Sequence, residues 1–244
     1  MSKLRLDQLL LERKLATDIQ RSRALIGAGE VYVNDTISDK AGLLYNTDVT
    51  IRLKQKCPFV SRGGLKLAGA LSTFEQPVEG LICVDIGAST GGFSDCLLQN
   101  GAKQIYAIDV AYGQLAWKIR QDERVEVLER FNARKLTAAD INEAQVELAV
   151  MDVSFISLTK ILPALFAVFP ADIAVIALVK PQFELPKSDI GPGGVVTDPH
   201  LHEKAINKIR MFVEDNNLHV SGVITSPIQG PKGNTEFLIH ITSA

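Results

Sequence analysis

Four charged side chains stand where an apolar stretch meets a loop. Lys66 follows S-R-G-G at the opening of a helix, and Asp152 ends an apolar strand in M-D-V-S-F-I-S. Lys180 ends the next apolar strand in L-V-K-P-Q-F-E, and Glu236 begins the last strand after Gly233, Asn234 and Thr235. A lysine that closes an almost wholly apolar run and precedes Pro181 is expected in a partly buried cleft, where its charge needs a partner. Taken one at a time, each of the four reads equally well as half of a surface ion pair. A second feature lies at residues 81–93, L-I-C-V-D-I-G-A-S-T-G-G-F, an apolar run ending in Asp85, a glycine-rich turn and a helix start. Such a turn lets backbone approach a ligand and aims a helix N-terminus at it. The next strand, 104–110, carries Asp109, and an acidic side chain about 20 residues beyond the glycine loop is placed to accept hydrogen bonds from ribose hydroxyls. Loop and acid together point to a nucleoside-type cofactor. A dinucleotide is disfavoured, because the G-x-G-x-x-G register puts Ser89 where the second glycine must let pyrophosphate approach.

The elements that must position these groups alternate along the chain. Strands are expected at 125–129, 148–153 and 172–180, the last almost wholly apolar as a central parallel strand is. An amphipathic helix follows at 200–216, then strands at 220–225 and 236–242. Alternating β and α elements imply a doubly wound sheet with ligands at the strand C-terminal ends. Upstream, residues 4–27 read as two short helices, the first striped by Leu6, Leu9, Leu10 and Leu15, the second capped by Thr17 or Asp18 and stopped at Gly27-Ala28-Gly29. A strand at Val31-Tyr32-Val33, a turn at Asn34-Asp35 and a strand at 48–53 complete a small module. Residues 54–64, K-Q-K-C-P-F-V-S-R-G-G, read as a linker, with a helix starting at Leu65.

The chain has 244 residues, 46% hydrophobic, and a net charge of −2, enough for one large or two modest domains. Residues 1–62 carry 11 Lys/Arg against 7 Asp/Glu, and the remainder 15 against 21. A basic module before an acidic body suits a polyanion partner for the first part. Three cysteines, Cys57, Cys83 and Cys96, show no paired spacing and fit a reducing cytosol. The N-terminal residues show no apolar signal segment, so a cytoplasmic location is expected. Residues 161–179 approach membrane length, but Pro163, Pro170 and Asp172 interrupt them. A helix, a turn at 169–172 and a buried strand explain them better. His200 and His202 are two apart, on different helix faces, and read as surface residues. No metal site is expected.

Several of these segments resemble known families. D-x-G-x-x-x-G-G is similar to the first motif of S-adenosylmethionine-dependent methyltransferases. The first sixty residues resemble the S-four-like RNA-binding domain through Arg5-Leu6-Asp7, Leu10, Leu15, Ala16, Arg23, Ala24, Ile26, Gly29, Val31, Val33-Asn34 and Asp48. In that module Arg5, Arg21 and Arg23 form a candidate cationic face for RNA phosphates. Lys66, Asp152, Lys180 and Glu236 resemble the Lys-Asp-Lys-Glu tetrad of FtsJ-type ribose 2'-O-methyltransferases. The segments S-R-G-G-x-K-L, D-x-G-A-S-T-G-G-F, M-D-V-S-F-I-S, V-K-P-Q-F-E and G-N-x-E-F identify the whole chain as a member of the TlyA family of ribosomal RNA 2'-O-methyltransferases, which also carries a haemolysin label.

The resemblance implies an S-four-like domain at 1–60 (linker about 54–62) and, at 63–244, an FtsJ-like domain with a Rossmann-like, mostly parallel mixed sheet. It implies methyl transfer from S-adenosylmethionine to a cytidine 2'-hydroxyl of ribosomal RNA. Lys180 would be the general base, which it can be only in its neutral form, favoured by burial and by neighbouring Lys66. Asp152 and Glu236 would orient the lysines. Gly87, Ala88, Ser89, Gly91, Gly92 and Phe93 would face the methionine end of the cofactor, Asp85 would close that pocket, Asp109 would hold the ribose, Asn132 would lie in an adenine-contacting loop, and Asp152 would also bind the cofactor. One departure stands out: where family members can carry an arginine-rich, tryptophan-containing linker, this chain has Cys57-Pro58-Phe59-Val60. The short N-terminus resembles the branch associated with large-subunit RNA. The competing readings are a non-catalytic ribosome-assembly factor and a membrane-lytic haemolysin.

Overall fold

The computed structural model describes residues 3–54, 57–169 and 173–243. It divides the chain into two compact units, Met1–Lys56 and Cys57–Ala244.

In the first unit β1 (Lys3–Arg5) leads into α1 (Leu6–Glu12), followed by α2 (Ile19–Gly27), β2 (Val31–Val33), β3 (Thr36–Ile37), β4 (Leu44–Asn46) and β5 (Ile51–Leu53). Asp18 starts α2, its carboxylate accepting from Arg21 N at 2.7 Å, which satisfies one of the donors a helix N-terminus leaves free. Leu6, Leu10, Leu25, Ile26, Val31 and Val33 form the core. β2 pairs antiparallel with β3 and β5. Asn34 and Asp35 join β2 to β3 with both φ angles positive, as a tight hairpin of matching twist requires. The strand expected at 48–53 is ordered only over Ile51–Leu53; Asp48 sits in the preceding turn. β1 pairs with β4, a second small sheet that three-residue strands gave no periodicity to announce.

Of the three arginines read as a cationic face, two share a buried partner. Asp7 is fully buried and accepts from Arg5 Nε at 3.0 Å, Arg5 Nη2 at 2.9 Å and Arg23 Nε at 3.0 Å. Arg21 is exposed and forms no ion pair among the described residues. Asp7 thus fixes two guanidinium groups over α1 and α2 while leaving them 44% and 58% exposed.

The second unit opens with α3 (Gly63–Thr73), two residues earlier than expected. β6 (Ile82–Ile86), α4 (Gly92–Gln99), β7 (Gln104–Ile108), α5 (Trp117–Arg120), β8 (Val125–Leu128), β9 (Leu148–Met151), α6 (Leu162–Val168), β10 (Ala174–Val179), α7 (Pro181–Glu184), α8 (Pro199–Glu214), β11 (Leu218–Thr225) and β12 (Phe237–Ser243) follow. The seven strands lie in the order β11-β12-β10-β9-β6-β7-β8. All neighbours are parallel except β12, antiparallel to both β10 and β11. This is the mixed, mostly parallel sheet expected. The side chains alternate as period two demands: Val84, Ile86, Val175, Ala177, Val179 and Ile239 pack under α6 and α8, while Cys83, Ile105, Val150, Ile176, Leu178 and Leu238 pack under α3 and α4.

Two local readings differ, and a third falls outside the described residues. Phe59 and Val60, read as linker, pack on the α3–α4 side; Val60 N donates to buried Asp95 at 2.8 Å, and Gln99 Nε2 to Pro58 O at 3.0 Å. His202 is half-buried, its Nε2 2.8 Å from Val196 O and its ring edge-on to Phe237. The turn read at 169–172 falls on Pro170, Ala171 and Asp172, which lie outside the described residues. Among the described residues no helix is long and apolar enough to cross a membrane.

The Asp7 cluster makes the first unit acid-sensitive. Hydrogen bonding from Arg5, with a smaller contribution from Arg23, holds the Asp7 carboxyl down at about 2 against burial, which pushes the other way. A carboxyl lowered by folding stabilises the folded state above its ordinary value of 3.8, and that stability is lost as the pH falls through about 2. Asp7→Asn is expected to destabilise the first unit at neutral pH by about 1–3 kcal/mol and to flatten its acid limb. Urea unfolding of the wild type and variant between pH 2 and 7 checks this, and equal stabilities at pH 7 would contradict it.

Candidate active site

The chain leaving β6 must turn sharply to enter α4, and two glycines make the turn. Gly87 has φ +84°, and a Cβ there would stand 2.6 Å from Asp152 O, so only glycine lets the turn pass the end of β9. Gly91, at φ +90°, is the cap residue of α4 and packs toward Leu115 and Ile119; it shapes the turn and does not line the cleft. Between them Ser89 takes φ +49°, a conformation costly for a residue with a side chain. Its amide donates to Asp109 Oδ2 at 2.7 Å. Ala111 N donates to Asp109 Oδ1 at 2.7 Å. Asp109 is therefore pinned at the exit of β7, beside a small recess that it forms with Ala88, Ser89, Ala111, Gln114 and Glu129. Each carboxylate oxygen keeps a lone pair for a further donor.

Beyond the glycine turn opens a cleft of about 580 Å³, lined on this side by Gly87, Ala88, Ser89, Gly92 and Phe93. The four charged residues converge on its wall from the first turn of α3, the ends of β9 and β10, and the start of β12. Lys66 Nζ donates to Glu236 Oε2 at 2.6 Å and lies 3.8 Å from Asp152 Oδ2. Lys180 Nζ lies 2.6 Å from Asp152 Oδ1 and donates to Ser154 Oγ at 2.8 Å. The result is one continuous chain of charges, Glu236–Lys66–Asp152–Lys180. Lys66, Lys180 and Glu236 are buried; Asp152 faces the cleft. A Cβ on Gly230 would meet Glu236 Oε1 at 2.5 Å, so that glycine makes room for the carboxylate.

Besides Gly91, two residues assigned to the cofactor from sequence lie elsewhere. Asp85 is fully buried beneath the loop and does not close the cleft. Ser94 Oγ donates to its Oδ2 at 2.6 Å, and its Oδ1 has no partner. Burial pushes this carboxyl up to about 7; the Ser94 hydrogen bond opposes the rise, and the charge of Asp152 adds to it. Asn132 accepts from Arg134 N at 3.2 Å at the start of a short turn and lines neither cavity.

Sequence reasoning missed several contributors. Phe155, 89% exposed and at φ +64°, stands at the mouth, its ring 5.0 Å from that of Phe183. Buried Asn234 joins two loops of the rim: Oδ1 accepts from Val196 N at 2.9 Å, and Nδ2 donates to Gly194 O at 2.9 Å. All three stand within three residues of Asp152, Lys180 or Glu236 in the sequence, and that proximity was the available signal. Arg62 and Lys232 also line the cleft. Cys83 and Cys96 are buried, which pushes each thiol up to about 12 and leaves them packing residues.

The chain is similar in sequence and fold to known proteins. The family model of FtsJ-like methyltransferases matches residues 59–243. The chain is 44% identical over 239 residues to the 16S/23S rRNA (cytidine-2'-O)-methyltransferase TlyA of Mycobacterium tuberculosis, covering 97% of this chain and 89% of that one. It is 40% identical over 238 residues to Hemolysin A of Brachyspira hyodysenteriae, covering 97% and 99%. A solved structure from Streptococcus thermophilus that carries the hemolysin label is 44% identical and superimposes with a TM-score of 0.77, covering 100% of this chain and 90% of that one.

Two outcomes follow for the loop. Folding raises the Asp85 carboxyl, so its stabilising contribution is complete below the ordinary value of 3.8 and is lost as the pH rises through about 7. Asp85→Asn is expected to remove that loss, giving a variant whose stability changes less than the wild type's between pH 4 and 7 in denaturant titrations. Gly87→Ala should displace the turn from Asp152 and weaken binding of S-adenosylhomocysteine at least about tenfold by calorimetry. Wild-type affinity would show that the turn tolerates a Cβ.

Proposed function

Because this chain belongs to the FtsJ-like methyltransferase family, we propose that it transfers a methyl group from S-adenosylmethionine to the 2'-hydroxyl of a cytidine in ribosomal RNA. The observation that carries the reading is the convergence of Lys66, Asp152, Lys180 and Glu236 on one cleft beside the glycine turn. The cradle fits a nucleoside cofactor. Gly87 and Gly92 keep side chains out of it, and Asp109 is held rigid by two amides with lone pairs facing the recess. When bound, S-adenosylmethionine supplies an electrophilic methyl on its sulfonium.

The protein's own groups do the rest. A ribose hydroxyl is a weak nucleophile and must lose its proton as it attacks. Lys180 Nζ, once it has released the proton of its own ammonium, accepts that proton, its direction set by Asp152 and Ser154. Asp152 partners both lysines, so it steadies the ammonium that forms on Lys180. Glu236 takes up most of the Lys66 charge, which leaves Asp152 for Lys180. Holding the attacking oxygen in line with the methyl carbon and sulfur supplies much of the remaining acceleration. Phe155 and Phe183 offer an exposed aromatic surface at the mouth on which an unstacked base can lie. Arg5, Arg21 and Arg23 of the first unit give phosphate contacts, and large-subunit RNA is the substrate this reading favours.

Labelled methyl transfer to separately purified ribosomal subunits, followed by mass mapping, is the test. The expected product is 2'-O-methylcytidine in the large subunit. No transfer to either subunit, with cofactor binding intact, would replace this reading with that of a non-catalytic assembly factor. Lys180→Ala should lower kcat by about 100-fold or more while leaving S-adenosylhomocysteine binding unchanged. Transfer at the wild-type rate would remove Lys180 from the mechanism. Phe155→Ala should raise KM for RNA with little change in cofactor affinity.

A further inference from the structure

Four cations line the cleft, Arg62, Lys66, Lys180 and Lys232, against two carboxylates, Asp152 and Glu236. The carboxylates belong to Lys66 and Lys180. Arg62 and Lys232 form no ion pair among the described residues. Each is exposed and is steadied by a backbone carbonyl: Arg62 Nη2 donates to Gln229 O at 3.0 Å and Lys232 Nζ to Gly193 O at 3.5 Å. With both Lys66 and Lys180 charged, the cleft therefore holds a surplus of two positive charges, in a chain whose net charge is −2. The cofactor does not cancel this surplus, because a sulfonium and an ammonium outweigh its single carboxylate. An uncharged acceptor such as a free nucleoside would not cancel it either. A nucleotide inside a chain would, since a phosphodiester flanks its ribose on each side and one of them hangs from the carbon next to the 2'-hydroxyl.

We propose that Arg62 and Lys232 bind the two phosphates flanking the target ribose, so that the enzyme accepts only an internal nucleotide of a polynucleotide. This rests on the methyltransferase reading above. The two residues are placed for it by the elements around them. Arg62 precedes α3, whose first turn carries Lys66. Lys232 lies in the turn before Glu236 and reaches the glycine-rich loop that Asn234 ties to the same rim. The phosphate contacts are thus fixed relative to the lysines that handle the hydroxyl, and they set which ribose is presented.

The experiment measures binding of wild type, Arg62→Gln and Lys232→Gln to large ribosomal subunits across a series of KCl concentrations, with S-adenosylhomocysteine present. Each variant should lose about 0.7–0.9 from the slope of log affinity against log salt, the loss of one phosphate contact. In the transfer assay each should raise KM for RNA about tenfold, as loss of a charge-assisted hydrogen bond does, with the loss falling on KM rather than kcat. Arg62→Lys and Lys232→Arg should keep the wild-type slope, which separates charge from folding. An oligonucleotide with phosphates on both sides of its cytidine should compete for transfer, and free cytidine at equal concentration should not. Unchanged slopes in both Gln variants would overturn the proposal. A weakened cofactor titration with an unchanged RNA slope would overturn it too, assigning the cations to the cofactor carboxylate. Because the binding series needs no turnover, it reads the clamp even if the wild type transfers no methyl group.

Discussion

Two buried ammonium groups sharing one carboxylate set the terms for the rest of the second unit. Taking Lys66 and Lys180 out of water costs several kcal/mol each, and only closely placed carboxylates recover it. Asp152 sits 2.6 Å from one lysine and 3.8 Å from the other, and Glu236 completes the set at 2.6 Å from Lys66. No single helix or hairpin delivers four such groups. They come from α3, β9, β10 and β12, and they meet because β9, β10 and β12 are neighbours in the sheet and α3 packs across one of its faces. The arrangement also separates roles: Lys66 is almost fully satisfied, whereas Lys180 shares its carboxylate and looks onto the cleft.

Electrostatics divides the chain along similar lines. The second unit is acidic in sum, yet its cleft is positive. The first unit is basic, yet it spends a buried carboxylate on holding two arginines. Asp7 costs desolvation and draws Arg5 and Arg23 to one point. Held by hydrogen bonds to one carboxylate, the two guanidinium groups have less side-chain freedom left to lose.

Sequence legibility followed the physics of each feature. The tetrad was readable because charged residues at the ends of apolar strands are costly without a partner, and four such exceptions in one α/β pattern converge where strand ends converge. The glycine turn was readable because Gly87 and Gly91 occupy backbone conformations other residues avoid. Burial depth was not readable. Asp85 looked like a pocket wall because it ends an apolar strand, but its side chain alternates to the inside and lies under α4. Asn132 and His202 were assigned by position in the chain, whereas hydrogen bonds to Arg134 N and Val196 O decide what they do. The polar and glycine-rich composition of 54–64 suggested a linker. The ring of Phe59 and the Val60–Asp95 hydrogen bond draw its second half into the larger unit instead.

The position of β12 bears on how the molecule comes into being. After β10 the chain passes through α8 and lays down β11 one place too far out, leaving a gap that β12 fills on its return. Until that hairpin docks, β10 presents an open edge and Lys66 lacks the carboxylate 170 positions away. Loop-closure entropy makes so distant a contact a late one. The glycine turn between β6 and α4 lies on the other side of β9 from that edge. The ion pair between Lys66 and Glu236 therefore closes only in the completed fold.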